Sequence, residues 1–265
     1  MSTSAITIAA HPAADVQESG RLIYVGMAVL FIAVAVAGFA PRSLAIVTGQ
    51  MPVPPLIIHV HAASMSAWLV LLLAQTLLMR SGRAAAHRSL GAASFVVAPA
   101  MFLTMSMLVV VISVTVLDPA AAGPLDVRAR TFAFMLFVMA RAALLFGLFY
   151  TWAILTRKTD RETHKRMMVL ATFVVIDAAL GRMTWLPGAV GGQFITAARG
   201  YDAIHLYQLL LIAPAIAYDL LRFKRVHWSY LLGTGLFLAC ALAAHLAWNS
   251  ARWQQLVAGW AGLGS

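Results

Sequence analysis

Residues 57–79, IIHVHAASMSAWLVLLLAQTLLM, decide the class of fold. The run holds no Asp, Glu, Lys or Arg and stops at Arg80. A bilayer core of about 30 Å needs about 20 apolar residues in a helix, and this stretch has that length. Positions 61, 65, 68, 72, 75 and 79 fall on one helical stripe: His61, Met65, Trp68, Leu72, Gln75 and Met79. His59 is turned away from that stripe by about 200°. The two histidines therefore do not chelate one ion from a regular helix; His59 reads as interfacial and His61 as facing the bundle.

Six further stretches have the same character: 22–40, 90–116, 131–155, 167–187, 203–221 and 229–248. Of 265 residues, 62% are hydrophobic and 11% charged, with mean hydropathy +0.86. Soluble domains run at about 25% charged, so this is a membrane composition. Lipid cannot satisfy open backbone groups, which favours closed helices, and the alternating strands of a barrel are missing. The expected fold is all-α, a polytopic membrane bundle of seven transmembrane helices within 22–250. A polar tail over 1–21 and a second over 251–265 flank it. Residues 1–20 carry Asp15 and Glu18 and lack a basic start followed by an apolar segment, so they do not read as a signal peptide. Cys240 is the single cysteine and leaves no internal disulfide to form.

Charge placement gives an orientation. Arg21, Arg80, Arg83, Arg88, Arg157, Lys158, Arg161, Lys165, Arg166, Arg222, Lys224 and Arg225 fall on one side of the expected bundle. Arg42, Arg128, Arg130, Arg199 and Arg252 fall on the other. The positive-inside rule then puts the N-terminus in the cytoplasm and the C-terminus outside. The net charge of +10 reads as topology plus contact with anionic lipid, with no nucleic-acid partner.

Two hairpins, 57–116 and 131–187, are candidate repeats. Arg88-x4-Ala-Ser-Phe-Val-Val-x-x-Ala100 matches Arg166-x4-Ala-Thr-Phe-Val-Val-x-x-Ala178, with Asp177 where the first copy has Pro99.

The polar residues inside the spans need partners, because a charge at the bilayer centre costs at least about 2.5–3.5 kcal/mol. Arg141, about 16 Å along its helix from Arg130, is expected to pair with Asp177, with Arg182 beyond it toward the outer face. The pair either lines a functional cavity or fixes helix registry. His61, His205 and His245 stand near the outer ends of three helices, and Tyr201, His205 and Gln208 share one face. Neutral imidazole ligates haem iron, copper or zinc. A bis-histidine haem would take two of these three histidines, and a metal centre all three. Met65, one turn below His61, suits copper. Arg141 and Arg182 would hold haem propionates or an anionic substrate, with Asp177 and Gln75 in support. His87, His164 and His227 start helices beside basic residues and read as interfacial. The only lysines, Lys158, Lys165 and Lys224, lie at helix ends, which excludes a retinal Schiff base.

Residues 61–91, HAASMSAWLVLLLAQTLLMRSGRAAAHRSLG, and 164–182, HKRMMVLATFVVIDAALGR, together resemble a group of uncharacterised bacterial multi-pass membrane proteins. The resemblance rests on His61, Gln75, Arg83, His87, Arg88, Gly91, His164, Arg166, Met168 and Arg182. It implies a bacterial inner membrane and brings no activity. The first segment is also loosely similar to cytochrome b561-type membrane domains, which implies helix histidines holding haem b. The expectations are therefore a haem- or copper-dependent membrane oxidoreductase or assembly protein, or a cofactor-free carrier or sensor of a small molecule. A structural membrane subunit is the third reading.

Overall fold

The computed structural model describes residues 12–117, 125–187, 198–248 and 250–260. The expected outer connections at 118–124 and 188–197, and most of the tail before residue 12, lie outside the described residues. So does 261–265, the end of the expected C-terminal tail. The described chain is all-helical: α1 Pro12–Val47, α2 Leu56–Arg80, α3 Ala84–Gly91, α4 Ser94–Leu117, α5 Leu125–Thr156, α6 Arg161–Phe173, α7 Asp177–Leu180, α8 Ala198–Phe223, α9 Trp228–Trp248 and α10 Ala251–Trp260. The stretch expected as an external tail thus begins with α10.

Among the described residues, six segments are long and apolar enough to cross a membrane: Leu22–Val47, Leu56–Arg80, Ala84–Val111, Leu136–Thr156, Ile204–Phe223 and Trp228–Ala247. Their outward faces carry apolar residues such as Val29, Val70, Leu103, Leu144, Leu221 and Leu242, all exposed in the isolated chain. Apolar surface of that extent is what lipid covers, and the protein is an integral membrane protein.

The stretch 167–187, expected as one more continuous helix, is not among the six. It divides into α6, a break at 174–176, and the single turn α7. Yet it is the centre of the molecule. Every residue from Arg166 to Gly181 is buried except Met168 and Ala178. α6 packs on α1, α5, α8 and α9, and α7 on α1 and α8.

Local chemistry explains where this element starts and stops. Asp160 caps α6: its Oδ1 accepts from the Glu162 and Thr163 amides at 3.1 and 3.0 Å, and its Oδ2 from the Thr163 hydroxyl at 2.6 Å. Those bonds favour the carboxylate and hold the Asp160 carboxyl below its ordinary range. At the other end the ladder tightens, with Val175 N–H reaching Thr172 O. The Gln208 side-chain amide donates to Phe173 O at 2.6 Å, occupying a carbonyl that continued helix would use. Val174, Val175 and Ile176, β-branched and poor at holding a helix, form the break.

The bundle around it is built by aromatic packing and close backbone approach. Trp68 meets Phe146 and Tyr150 edge-on, at 5.1 and 5.8 Å between ring centroids, and donates its indole N–H to Thr172 Oγ1 at 3.0 Å. Gly38 of α1 lies against the backbone of α7, where any Cβ would overlap the Ala179 carbonyl. Backbone cannot swing aside as a side chain can. Gly38→Ala is expected to lose about 1–3 kcal/mol of stability, read from unfolding of the purified protein in detergent micelles. An unchanged midpoint would mean that α1 does not press on α7.

Candidate functional site

Two buried ionic clusters mark the ends of the discontinuous element. At its start, Arg166 forks onto Asp219 of α8, with Nε–Oδ2 2.9 Å and Nη2–Oδ1 2.6 Å. Its Nη1 reaches Glu162 Oε2 at 2.6 Å, and the His227 backbone N–H donates to Asp219 Oδ2 at 3.1 Å. Tyr230 and Phe223 place rings near the guanidinium. The Arg166 and Asp219 side chains are 2% and 1% exposed, so both charges have left water and must satisfy each other.

The second cluster lies just past the break. Arg141 of α5 donates from Nη2 to Asp177 Oδ2 at 2.6 Å, the pairing expected from the sequence. Its Nη1 meets His205 Nε2 of α8 at 2.9 Å. A guanidinium has only hydrogens to offer, so His205 Nε2 is the acceptor and carries no proton. Asp177 Oδ1 accepts from the Ala178 amide at 2.8 Å, and the Phe237 ring lies 5.1 Å from the Arg141 guanidinium carbon. One turn along α8, Gln208 is fully buried, and its Oε1 has no hydrogen-bond partner.

A third group sits beyond α7. Arg182 donates from Nη1 to Ala178 O at 2.5 Å and stacks over Phe39 of α1 at 4.7 Å. Its Nε is enclosed without a partner, and no acid lies within ion-pair distance of it among the described residues. Arg42 and His61 both feel its charge. The His61 Nδ1 is 3.1 Å from Thr104 Oγ1. The Thr104 hydroxyl gives its hydrogen to Ala100 O at 2.8 Å, so Nδ1–H of His61 donates and Nε2 keeps its lone pair.

The expected site residues are therefore distributed as follows. Arg141, Asp177, His205 and Gln208 line the break, and Arg182 and His61 lie beyond it. Met65 is half-buried in the core, and His59 is exposed on α2. Gln75 is buried on α2 against Gly91 of α3, well down the stripe from His61. His245 is half-buried on α9. The side chain of Tyr201 lies outside the described residues. For a haem or copper centre on His61, His205 and His245, the donor atoms decide the fit. Among the described residues no three His, Cys, Asp or Glu side chains are grouped to hold a metal ion. His205 Nε2 has given its lone pair to Arg141, and its other nitrogen then carries the proton. In this arrangement His205 is not free to ligate, so the three histidines do not form a common centre.

The Arg166–Asp219 cluster was not singled out from the sequence. The available signal was Asp219, an acid placed inside an apolar run, beside Arg166 within a basic helix start. Searches of protein-family descriptions, of characterised proteins and of solved structures return no match to the chain.

Proposed function

We propose that the chain crosses a bacterial cytoplasmic membrane seven times, the discontinuous element α6–α7 being the fifth crossing. On this reading it is a carrier for a small carboxylate- or phosphate-bearing molecule. Support for the crossing comes from what the element touches. Its Arg166 holds Asp219, near the end of α8, and its Asp177 shares Arg141 with His205, near the start of α8. Asp219 and His205 are 14 positions apart, about 21 Å along a helix. Irregular backbone at that depth is tolerated because protein surrounds it. Broken helices of this kind build midplane binding sites in transporters. The basic residues of the α5–α6 connection support a cytoplasmic side for it on this reading.

Arg182 carries the ligand assignment. It is a half-buried cation with an enclosed Nε and no acid within ion-pair distance among the described residues. Charges removed from water need partners, and Arg42 adds positive charge beside it. A guanidinium accepts carboxylate or phosphate through two parallel hydrogen bonds. Nearby in the chain, Asp177 holds Arg141, and Arg141 holds His205.

The test is thermal unfolding in micelles with a series of mono- and dicarboxylates and phosphate. A bound anion at about 100 times its Kd stabilises by about 2.7 kcal/mol. One class of anion is expected to raise the midpoint, with Arg182→Gln weakening it at least tenfold and Arg182→Lys less. No shift with any anion, or a shift that survives Arg182→Gln, contradicts the proposal. A Soret band lost in His61→Ala or His205→Ala would replace it with the haem reading.

A further inference from the structure

α2 ends in Met79-Arg80-Ser81-Gly82-Arg83, and the turn satisfies the helix end from its own donors. The Arg83 amide donates to Leu78 O at 2.9 Å and the Gly82 amide to Met79 O at 3.3 Å. Gly82, at φ 74°, supplies the left-handed residue that this pair of bonds requires. The Ser81 amide donates to Leu77 O at 2.9 Å, and its hydroxyl to Leu78 O at 3.1 Å. The carbonyls of Leu77, Leu78 and Met79 are thus occupied without the side chain of either arginine. The chain reverses at Gly82, so Arg83 is pinned back against Leu78 of the last helical turn.

Other arginines of the basic face are engaged within the protein. Arg157, just past the end of α5, donates to Ile154 O at 2.6 Å, and Arg166 forks onto Asp219. Arg80 and Arg83 are exposed, and no acid lies within ion-pair distance of either among the described residues. Both line one open depression of about 510 Å³, together with Ser81, Leu77 and Leu78. Leu77 is 44% exposed on the membrane-crossing segment Leu56–Arg80, so the wall of the depression continues onto the surface that lipid covers.

We infer that this depression holds the headgroup of an anionic phospholipid at the basic end of the bundle. The phosphodiester meets two guanidinium groups, each built to donate parallel hydrogen bonds to phosphate oxygens. The acyl chains run along Leu77 and Leu78. A free phosphate would leave those leucines in water, whereas a lipid covers them and presents its charge at the same time. A zwitterionic lipid carries the same phosphate but brings its own cation toward the arginines, so the site selects headgroups of net negative charge.

The experiment counts ligands on the full chain in neutral-detergent micelles by native mass spectrometry, during titration with phosphatidylglycerol, phosphatidylcholine or inorganic phosphate. The first phosphatidylglycerol is expected to bind about tenfold more tightly than phosphatidylcholine, the scale of two cations facing an anionic headgroup. Arg80→Gln with Arg83→Gln should remove that preference without lowering the thermal midpoint, since both side chains are exposed. Gly82→Ala keeps both charges but strains the turn, and should weaken the preference as well. Arg222→Gln, which removes an exposed cation of the same face, and Arg182→Gln should leave it unchanged. A preference that survives the double variant overturns the site. So does an equal loss in Arg222→Gln, which would reduce the effect to diffuse attraction toward a basic surface. Displacement of the lipid by equimolar phosphate would assign the arginines to a free anion and overturn the lipid reading. Because the anion site is read with Arg182→Gln, the two assignments fail separately.

Discussion

Asp177→Ala is expected to destabilise the protein by about 3–5 kcal/mol, because it leaves the Arg141 guanidinium buried without its counter-charge. The Arg141 and Asp177 side chains are 1% and 9% exposed, so water cannot replace the lost carboxylate. His205 cannot compensate, since its Nε2 is a neutral acceptor. The same physics predicts a rescue. Arg141→Met combined with Asp177→Leu removes both charges and should recover most of the loss, as apolar replacement of a buried pair is often neutral or favourable. Chemical unfolding in micelles across the double-mutant cycle reads both outcomes. A single-variant loss below about 1 kcal/mol would place the pair in contact with water, and the described packing would be wrong.

Asp219→Ala is the second large effect, again about 3–5 kcal/mol. Asp219 accepts two bonds from Arg166 and one from the His227 backbone, so its removal takes away the buried counter-charge of Arg166 and the partner of an amide together. Glu162 still reaches Arg166, but its side chain is 51% exposed and sits at the rim. Glu162→Gln should therefore cost no more than about 1 kcal/mol. The contrast between the two carboxylates is the check. Equal losses would mean that Arg166 is held mainly from the rim and that α6 is not anchored to α8.

Much of the membrane class was legible because hydropathy and helical spacing act locally. The stripe from His61 to Met79 needs only the 3.6-residue period, and Trp68, Leu72 and Gln75 on it are indeed buried. The discontinuity was not legible for the opposite reason. Phe95-Val96-Val97 runs on as helix through Pro99, whereas the matching Phe173-Val174-Val175 ends one. The sequences agree there, and the partners differ. Gln208 takes the Phe173 carbonyl, and Arg141 draws the Asp177 carboxylate, both from helices distant in the chain. The Arg141–Asp177 pairing could be anticipated because few charges occupied the spans. The position of Arg166 could not, since a residue counted among loop cations is 2% exposed and forked onto Asp219. The contacts of His87 and His164 were not legible either. Their Nδ1 partners, Gln75 O and Ala153 O, are backbone carbonyls, which leave no side-chain signature.

The account stands on α6–α7 crossing the bilayer as a broken helix, and cysteine labelling from the two faces tests it most directly. In a Cys240→Ala background, Lys158→Cys and Ser250→Cys are compared for reaction with a membrane-impermeant maleimide in intact and opened cells. Seven crossings predict labelling at position 250 in intact cells, and at 158 only after opening. Labelling of both positions from the same face would leave six crossings and contradict the account.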